Sequence, residues 1–250
     1  MNKIEEAPNI LWNIICNIAK NVVNNQKNLL MFNERYLHHY FSKEVQNNGI
    51  DLNICGGNIM IFPEWPTFKK YREKNFAKYK CIKEKANNEE NIKKKCIPTK
   101  DINKNYGSAG FIDFAIGSYN APKIGIEFKY LTDWNNEAVT FDFLKLADKR
   151  NPFEVAIWFG LIFRENGFSK KLTEKIFRSA FCEALDRLNN IEDNKKRTLE
   201  RTMFICALEV DNNNKRVCFL CEKNDNESFS FKKISENIEN EVNNYKGFKL

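Results

Sequence analysis

The run Val155–Phe163 is nearly all apolar, and it constrains this chain more than any other stretch. It is about half as long as a bilayer crossing, which needs roughly 20 apolar residues. It reads instead as a strand buried on both faces, a position found in sheets that carry helices on both sides. The neighbouring segments supply such helices. Phe141–Asp148 is a predicted helix ended by Asn151-Pro152, and Ser169–Leu188 is amphipathic on Leu172, Ile176, Phe177, Ala180, Phe181, Ala184, Leu185 and Leu188. Upstream, the turn Gly117–Pro122 joins two predicted strands, Gly110–Ile116 and Lys123–Tyr130, into a hairpin. Downstream, Thr202–Val210 and Arg216–Cys221 are two more strands.

The first forty-odd residues carry two helical stripes. One runs over Ile10, Ile14, Ile15, Ile18 and Val22, the other over Leu30, Leu37, Tyr40, Phe41 and Val45. Ile59–Phe62 is a short strand closed by Pro63 and Pro66, and the last thirty residues read as polar helix or tail. The order predicts an α/β fold, a central mixed sheet flanked by helices. With 250 residues, 42% of them hydrophobic and 21 of them Phe, the chain suits one large domain over 1–250. Its parts are N-terminal helices (1–48), a Lys-rich insertion (69–104), a core (107–221) and a polar C-terminal segment (222–250).

The formal charge is +7, and its location matters more than its size. Residues 69–104 hold thirteen Lys and Arg against five acids, which makes that segment +8 and the remainder −1. A basic segment of this kind suits an anionic partner, and Lys93, Lys94 and Lys95 are its densest cluster. The N-terminus has Glu5 and Glu6 and an apolar stretch interrupted by Asn, unlike a secretion signal or transit peptide. The expectation is a cytoplasmic protein whose eight cysteines stay reduced. Cys218-x-x-Cys221 is the only close pair; it falls in a strand-like run with no second pair at zinc-ribbon spacing, and Cys81 and Cys96 stand apart. The cysteines therefore read as small buried hydrophobes.

The chemistry lies on the hairpin. Asp113 sits between Ile112 and Phe114, and Glu127 between Ile126 and Phe128, where an unpaired carboxylate is costly. Glu127 and Lys129 share one strand face, and the hairpin brings both strands together, so two carboxylates and an ammonium converge at a sheet edge. Two such carboxylates need a proton or a cation between them, and an all-oxygen set suits Mg²⁺, with Mn²⁺ as a substitute. The competing reading of these residues is a structural ion pair, with Glu127 bound to Lys129 or Lys123.

Asp113, then Glu127-x-Lys129, placed after helices and before helix, buried strand and helix, resembles the PD-(D/E)xK nuclease superfamily. The resemblance covers roughly residues 28–221, with Ile112 where the motif's name has proline. It implies a restriction-endonuclease-like fold with an αβββαβ core. It also implies that Asp113 and Glu127 are metal ligands, joined by the Phe128 main-chain carbonyl, and that Lys129 orients the attacking water. Members often carry a Glu on the preceding helix, and Glu34 fits because it lies on the apolar stripe with Leu30, Leu37 and Phe41. The helix after the hairpin often adds a polar residue, for which Lys145 is the candidate DNA contact. His38, one turn after Glu34, could face the same cleft but reads rather as a core or surface histidine, and Asp133 and Glu137 read as loop acids.

In size and layout the chain is similar to type II restriction endonucleases. That similarity implies a Mg²⁺-dependent endodeoxyribonuclease that acts on double-stranded DNA as a homodimer, with a cognate DNA methyltransferase encoded nearby. The alternatives are a non-sequence-specific defence or repair nuclease of the same fold, and a catalytically silent nucleic-acid-binding protein.

Overall fold

The computed structural model describes residues 11–18, 33–48, 60–67, 110–117, 121–132, 136–164, 170–189, 198–211 and 216–250. The whole basic insertion (69–104), with Lys93, Lys94, Lys95, Cys81 and Cys96, lies outside the described residues, as does Asp133.

Residues 11–18 are helical. They precede α1 (Glu34–Asn48), β1 (Met60–Pro66), β2 (Phe111–Gly117), β3 (Pro122–Leu131), α2 (Asn136–Ala147) and β4 (Val155–Arg164). The chain continues with α3 (Lys170–Asn189), β5 (Thr202–Asp211), β6 (Arg216–Lys223), β7 (Phe229–Ile234), α4 (Ile238–Asn244) and β8 (Phe248–Lys249). The strands form one mixed sheet in the order β1-β2-β3-β4-β5-β6-β7, with β8 paired to β5. β1, β2 and β3 form an antiparallel meander. The crossovers through α2 and α3 make β3, β4 and β5 parallel, and β6 and β7 return antiparallel.

The apolar run does what its composition requires. Ile157, Phe159, Leu161 and Phe163 enter the core shared with residues 11–18 and α1, while Ala156, Trp158 and Ile162 enter the core under α2 and α3. Gly160 is needed inside this strand, because a Cβ there would stand 2.3 Å from the buried Trp158 ring. Gly160→Ala therefore forces an over-packed core and should cost about 1–3 kcal/mol, read as a lower urea midpoint with an unchanged slope.

The predicted helix Phe141–Asp148 begins five residues earlier, at Asn136, because its polar first turn hides the start of the helical period. The C-terminal thirty residues correct the expectation of helix or tail, since β7 and β8 extend the sheet. Their apolar residues are few but well placed. Phe231 stacks on Phe177, and Phe229 packs edge-on against Phe181. The Trp12 indole donates to the Val242 carbonyl at 2.7 Å, which ties the N-terminal helical residues to α4.

At the outer edge, β1 carries Pro63 and Pro66, and Glu64 between them takes a positive φ of 52°. Among the described residues Cys16, Cys206, Cys218 and Cys221 are buried, and Cys182 is half-buried. Cys206 lies 3.5 Å from Cys218, and the hydrogen bond between them, with burial, pushes the Cys206 thiol well up. Burial does the same to Cys221. No helix among the described residues is long and apolar enough to cross a membrane.

Candidate active site

The site begins where the hairpin comes apart. β2 and β3 pair through Ile116–Ile124, Ala115–Gly125 and Phe114–Ile126, so the next position would set Asp113 opposite Glu127. The ladder stops there instead. Asp113 Oδ2 accepts the Phe128 amide at 2.7 Å, and Glu34 Oε2, arriving from the first turn of α1, accepts the Tyr130 amide at 3.4 Å. Two carboxylates thus replace a neighbouring strand along the open edge of β3. In a strand the N–H and C=O of one residue project to the same side, so the Phe128 carbonyl faces that edge too.

Two lysines complete the cluster. Lys129 Nζ lies 3.3 Å from Glu34 Oε2 and 3.8 Å from Asp142 Oδ2. Lys145 Nζ, from the last turn of α2, lies 2.5 Å from Glu127 Oε1 and 3.1 Å from Asp142 Oδ1, and donates to the Phe111 carbonyl at 3.0 Å. Glu127, Asp142 and Lys145 are 2%, 3% and 5% exposed, so their charges act on one another with little screening by water. His38 Nε2 stands 3.3 Å from Asp113 Oδ2, and its ring meets Phe114 edge-on.

Four carboxylates (Glu34, Asp113, Glu127, Asp142) face two ammoniums (Lys129, Lys145), so the cluster holds more carboxylates than cations to balance them. The proton affinities follow from this imbalance. Burial raises the Glu127 pKa well above the ordinary value; the Lys145 charge opposes that, and the Asp113 and Asp142 charges add to it. Burial works the same way on Asp113, but the His38 hydrogen bond, the Lys145 charge and the Phe128 amide outweigh it and hold Asp113 below the usual range. Burial alone would lower both lysines, yet Asp142, Glu34 and Glu127 raise Lys129, and Glu127 and Asp142 raise Lys145. Both stay protonated at neutral pH.

No family model, no curated protein and no solved structure matches this chain. What the site can do follows from its own geometry. Among the described residues no three His, Cys, Asp or Glu side chains stand together as a ready coordination shell. The Lys145 ammonium, not a shared open point, joins Glu127 to Asp142. The donor chemistry nevertheless fits a hard divalent cation. Glu127 Oε1 and Asp142 Oδ2 are buried carboxylate oxygens whose nearest charged neighbours are ammoniums, Lys145 for the first and Lys129 for the second. Asp113, Glu127 and the Phe128 carbonyl are an all-oxygen donor set, the chemistry a hard divalent cation takes.

The structure brings Asp113, Glu127, Phe128, Lys129 and Glu34 together, as the sequence predicts. Lys145 needs correction as a DNA contact, since it is buried among carboxylates rather than open to a phosphate. His38 also differs from expectation, lining the site beside Asp113 instead of serving as a core or surface residue. Asp142 is the residue that sequence reasoning missed. It lies between Phe141 and Phe143, a lone acid in an apolar run, which is the same signal that marks Asp113. Glu137 belongs to α2 rather than to a loop.

Proposed function

We propose that this chain is a metal-dependent endodeoxyribonuclease that hydrolyses DNA phosphodiester bonds. In this reading it is built on the restriction-endonuclease-like plan of the PD-(D/E)xK superfamily and works as a type II restriction endonuclease. The order α1, the β1–β2–β3 meander, α2 and the parallel β4 supports the fold assignment. The observation that carries the function is the gathering of four carboxylates on only two ammoniums at the open edge of β3, with Glu127 and Asp142 buried there. A protein that leaves carboxylates in this state binds a proton or a cation there.

Asp113, Glu127 and the Phe128 carbonyl are the residues that would hold Mg²⁺. When bound, the cation supplies charge neutralisation at the phosphate and acidification of a water. Lys129 has a raised pKa, so it acts as a charged donor and not as a base: it orients the attacking water and stabilises negative charge developing at phosphorus. Glu34 and Asp142 hold that ammonium in place. The basic insertion supplies phosphate contacts through Lys93, Lys94 and Lys95, a homodimer cuts both strands, and a methyltransferase encoded nearby protects the host's sites. A nuclease without sequence preference would use the same residues.

Incubation of plasmid DNA with the full chain and Mg²⁺ tests this. Cleavage should stop with EDTA, and it should fall below detection in Asp113→Ala and Lys129→Ala while circular dichroism and DNA retention stay unchanged. Discrete fragments indicate a recognition sequence and a smear indicates none. Cleavage that survives EDTA would overturn the mechanism.

One observation favours a second reading, a catalytically silent nucleic-acid-binding protein. Lys145 already serves as an internal counter-ion to Glu127, as a purely structural cluster would have it. Thermal melts separate the two readings: a silent site gains no stability from Mg²⁺ or Mn²⁺, and an active one gains stability that Asp113→Asn removes.

A further inference from the structure

Phe111 is the one large hydrophobic side chain among the described residues that is exposed, at 49%, and it stands beside the site. It opens β2, two residues before Asp113. The backbone around it is held on every side but one. Its carbonyl accepts the Lys145 ammonium at 3.0 Å, and β1 pairs with it through Pro66. The preceding Gly110 carbonyl accepts the Thr67 amide at 2.8 Å and the Thr67 hydroxyl at 2.9 Å, and Thr67 is buried. On the remaining side β2 has already parted from β3, since Phe114–Ile126 is their last ladder pair. A ring left in water on so fixed a stem is a platform rather than a frayed end. Nothing in that stem calls for an aromatic, because its bonds are made by main chain, Thr67 and Lys145.

We propose that Phe111 stacks on a base of the bound strand, so that this site cuts DNA beside a base that has left the helical stack. The inference rests on the nuclease reading above and narrows its substrate to single-stranded or locally opened DNA. Two residues of β2 span about 6.8 Å, roughly two steps of a base stack, so a base one or two nucleotides from a phosphate held at Asp113 reaches the ring. The exposed half of a phenylalanine is on the order of 100 Å², enough for one base. It is far below the roughly 800 Å² per partner of a stable protein interface. Inside a duplex both faces of a base are covered by its neighbours, and a ring takes one of them only where the stack is open. Every base has such a face, so the contact favours open strands without reading their sequence.

The test uses the full chain in EDTA, so that no strand is cut, and a fluorescent DNA of about 20 nucleotides, either single or annealed to its complement. Phe111→Leu should weaken single-strand binding at least about five-fold, the lower end of what one stacked base is worth, and change duplex binding less than about two-fold. Phe111→Trp should restore the single-strand affinity. Equal losses for both forms, or no loss for the single strand, overturn the inference. So does a Phe111→Leu variant whose sedimentation without DNA differs from that of the native protein, which would make the ring a contact between copies. Ultraviolet cross-linking of the native protein decides the matter even if a variant misfolds. A 5-iodouracil in the single strand should attach to Phe111, identified by mass spectrometry of the peptides, and the same base paired in the duplex should not. Cross-links that avoid Phe111, or none at all, overturn the inference. Phe111 cross-links without Mg²⁺-dependent cleavage overturn the nuclease reading alone, and Mg²⁺-dependent cleavage without them overturns this inference alone.

Discussion

Lys145→Met should lower the stability of the metal-free protein by about 3–5 kcal/mol, the usual result of stripping one partner from a buried ion pair. The ammonium has oxygen neighbours on Glu127, Asp142 and the Phe111 carbonyl, and methionine fills its volume without meeting any of them. The loss should depend on pH in a defined direction. Burial already raises the Glu127 pKa in the native protein, so the folded state binds that proton more tightly than the unfolded chain. Metal-free stability is therefore fullest below the unfolded value, and it declines as pH rises from there through the folded value. Lys145 opposes the raised pKa, so removing it pushes the folded value higher still and carries the decline further up the pH scale. Urea melts at pH 5 and pH 8 should thus show a wider gap between the variant and the native protein at pH 8. Equal losses at both pH values would mean that Glu127 is not the group left uncompensated.

Arg201→Leu should be comparably severe, about 3–5 kcal/mol, because one guanidinium satisfies four main-chain carbonyls. Its side chain is fully buried and donates to Leu146, Asp148 (3.1 Å), Asn151 (2.8 Å) and Phe153 (2.8 Å), with the Phe153 ring 6.0 Å away. Those carbonyls belong to the last turn of α2 (Leu146) and to the segment joining it to β4, so the guanidinium ties α2 to the sheet. Leucine leaves them without donors in a dry interior. For a chain of this size the melting temperature should fall by about 10 °C. Arg201→Lys should recover little, since a single ammonium cannot fan out to four acceptors. Because α2 carries Asp142 and Lys145, the proposed metal-dependent reading requires that even the folded fraction lose stabilisation by Mg²⁺. A variant that melts at a lower temperature yet binds metal normally would show that α2 keeps its position without the clamp.

Most of the sheet could be read from the chain because its strands announce themselves locally. Val155–Arg164 is too apolar to be anything but doubly buried, and Thr202–Asp211 follows the same rule. Asp113 and Glu127 stood out by violating that rule in their own strands. Asp142 violated it as well, but a helix tolerates one acid on its border, so the violation is quieter there. His38 and Lys145 give no local signal at all. Each is one polar residue on a mixed helix face, and only the crossing of α1 and α2 over the same hairpin gives them their partners. The C-terminal strands escaped notice for a related reason: Phe229 and Phe231 matter through Phe181, Phe248 and Phe177, which are remote in sequence or belong to α3.

The proline-bearing edge of β1 limits how copies of this protein can meet. A strand recruits another through its outward row of amides, and this is also how sheets grow into aggregates. Two of the seven β1 residues are prolines with no amide to offer, and the left-handed turn at Glu64 bends the row between them. That margin of the sheet is blunt. Two copies joined to cut opposite strands of a duplex would have to associate through side chains, not by continuing one sheet into the next across β1. The same bluntness protects a chain rich in β-forming apolar segments from stacking along this edge.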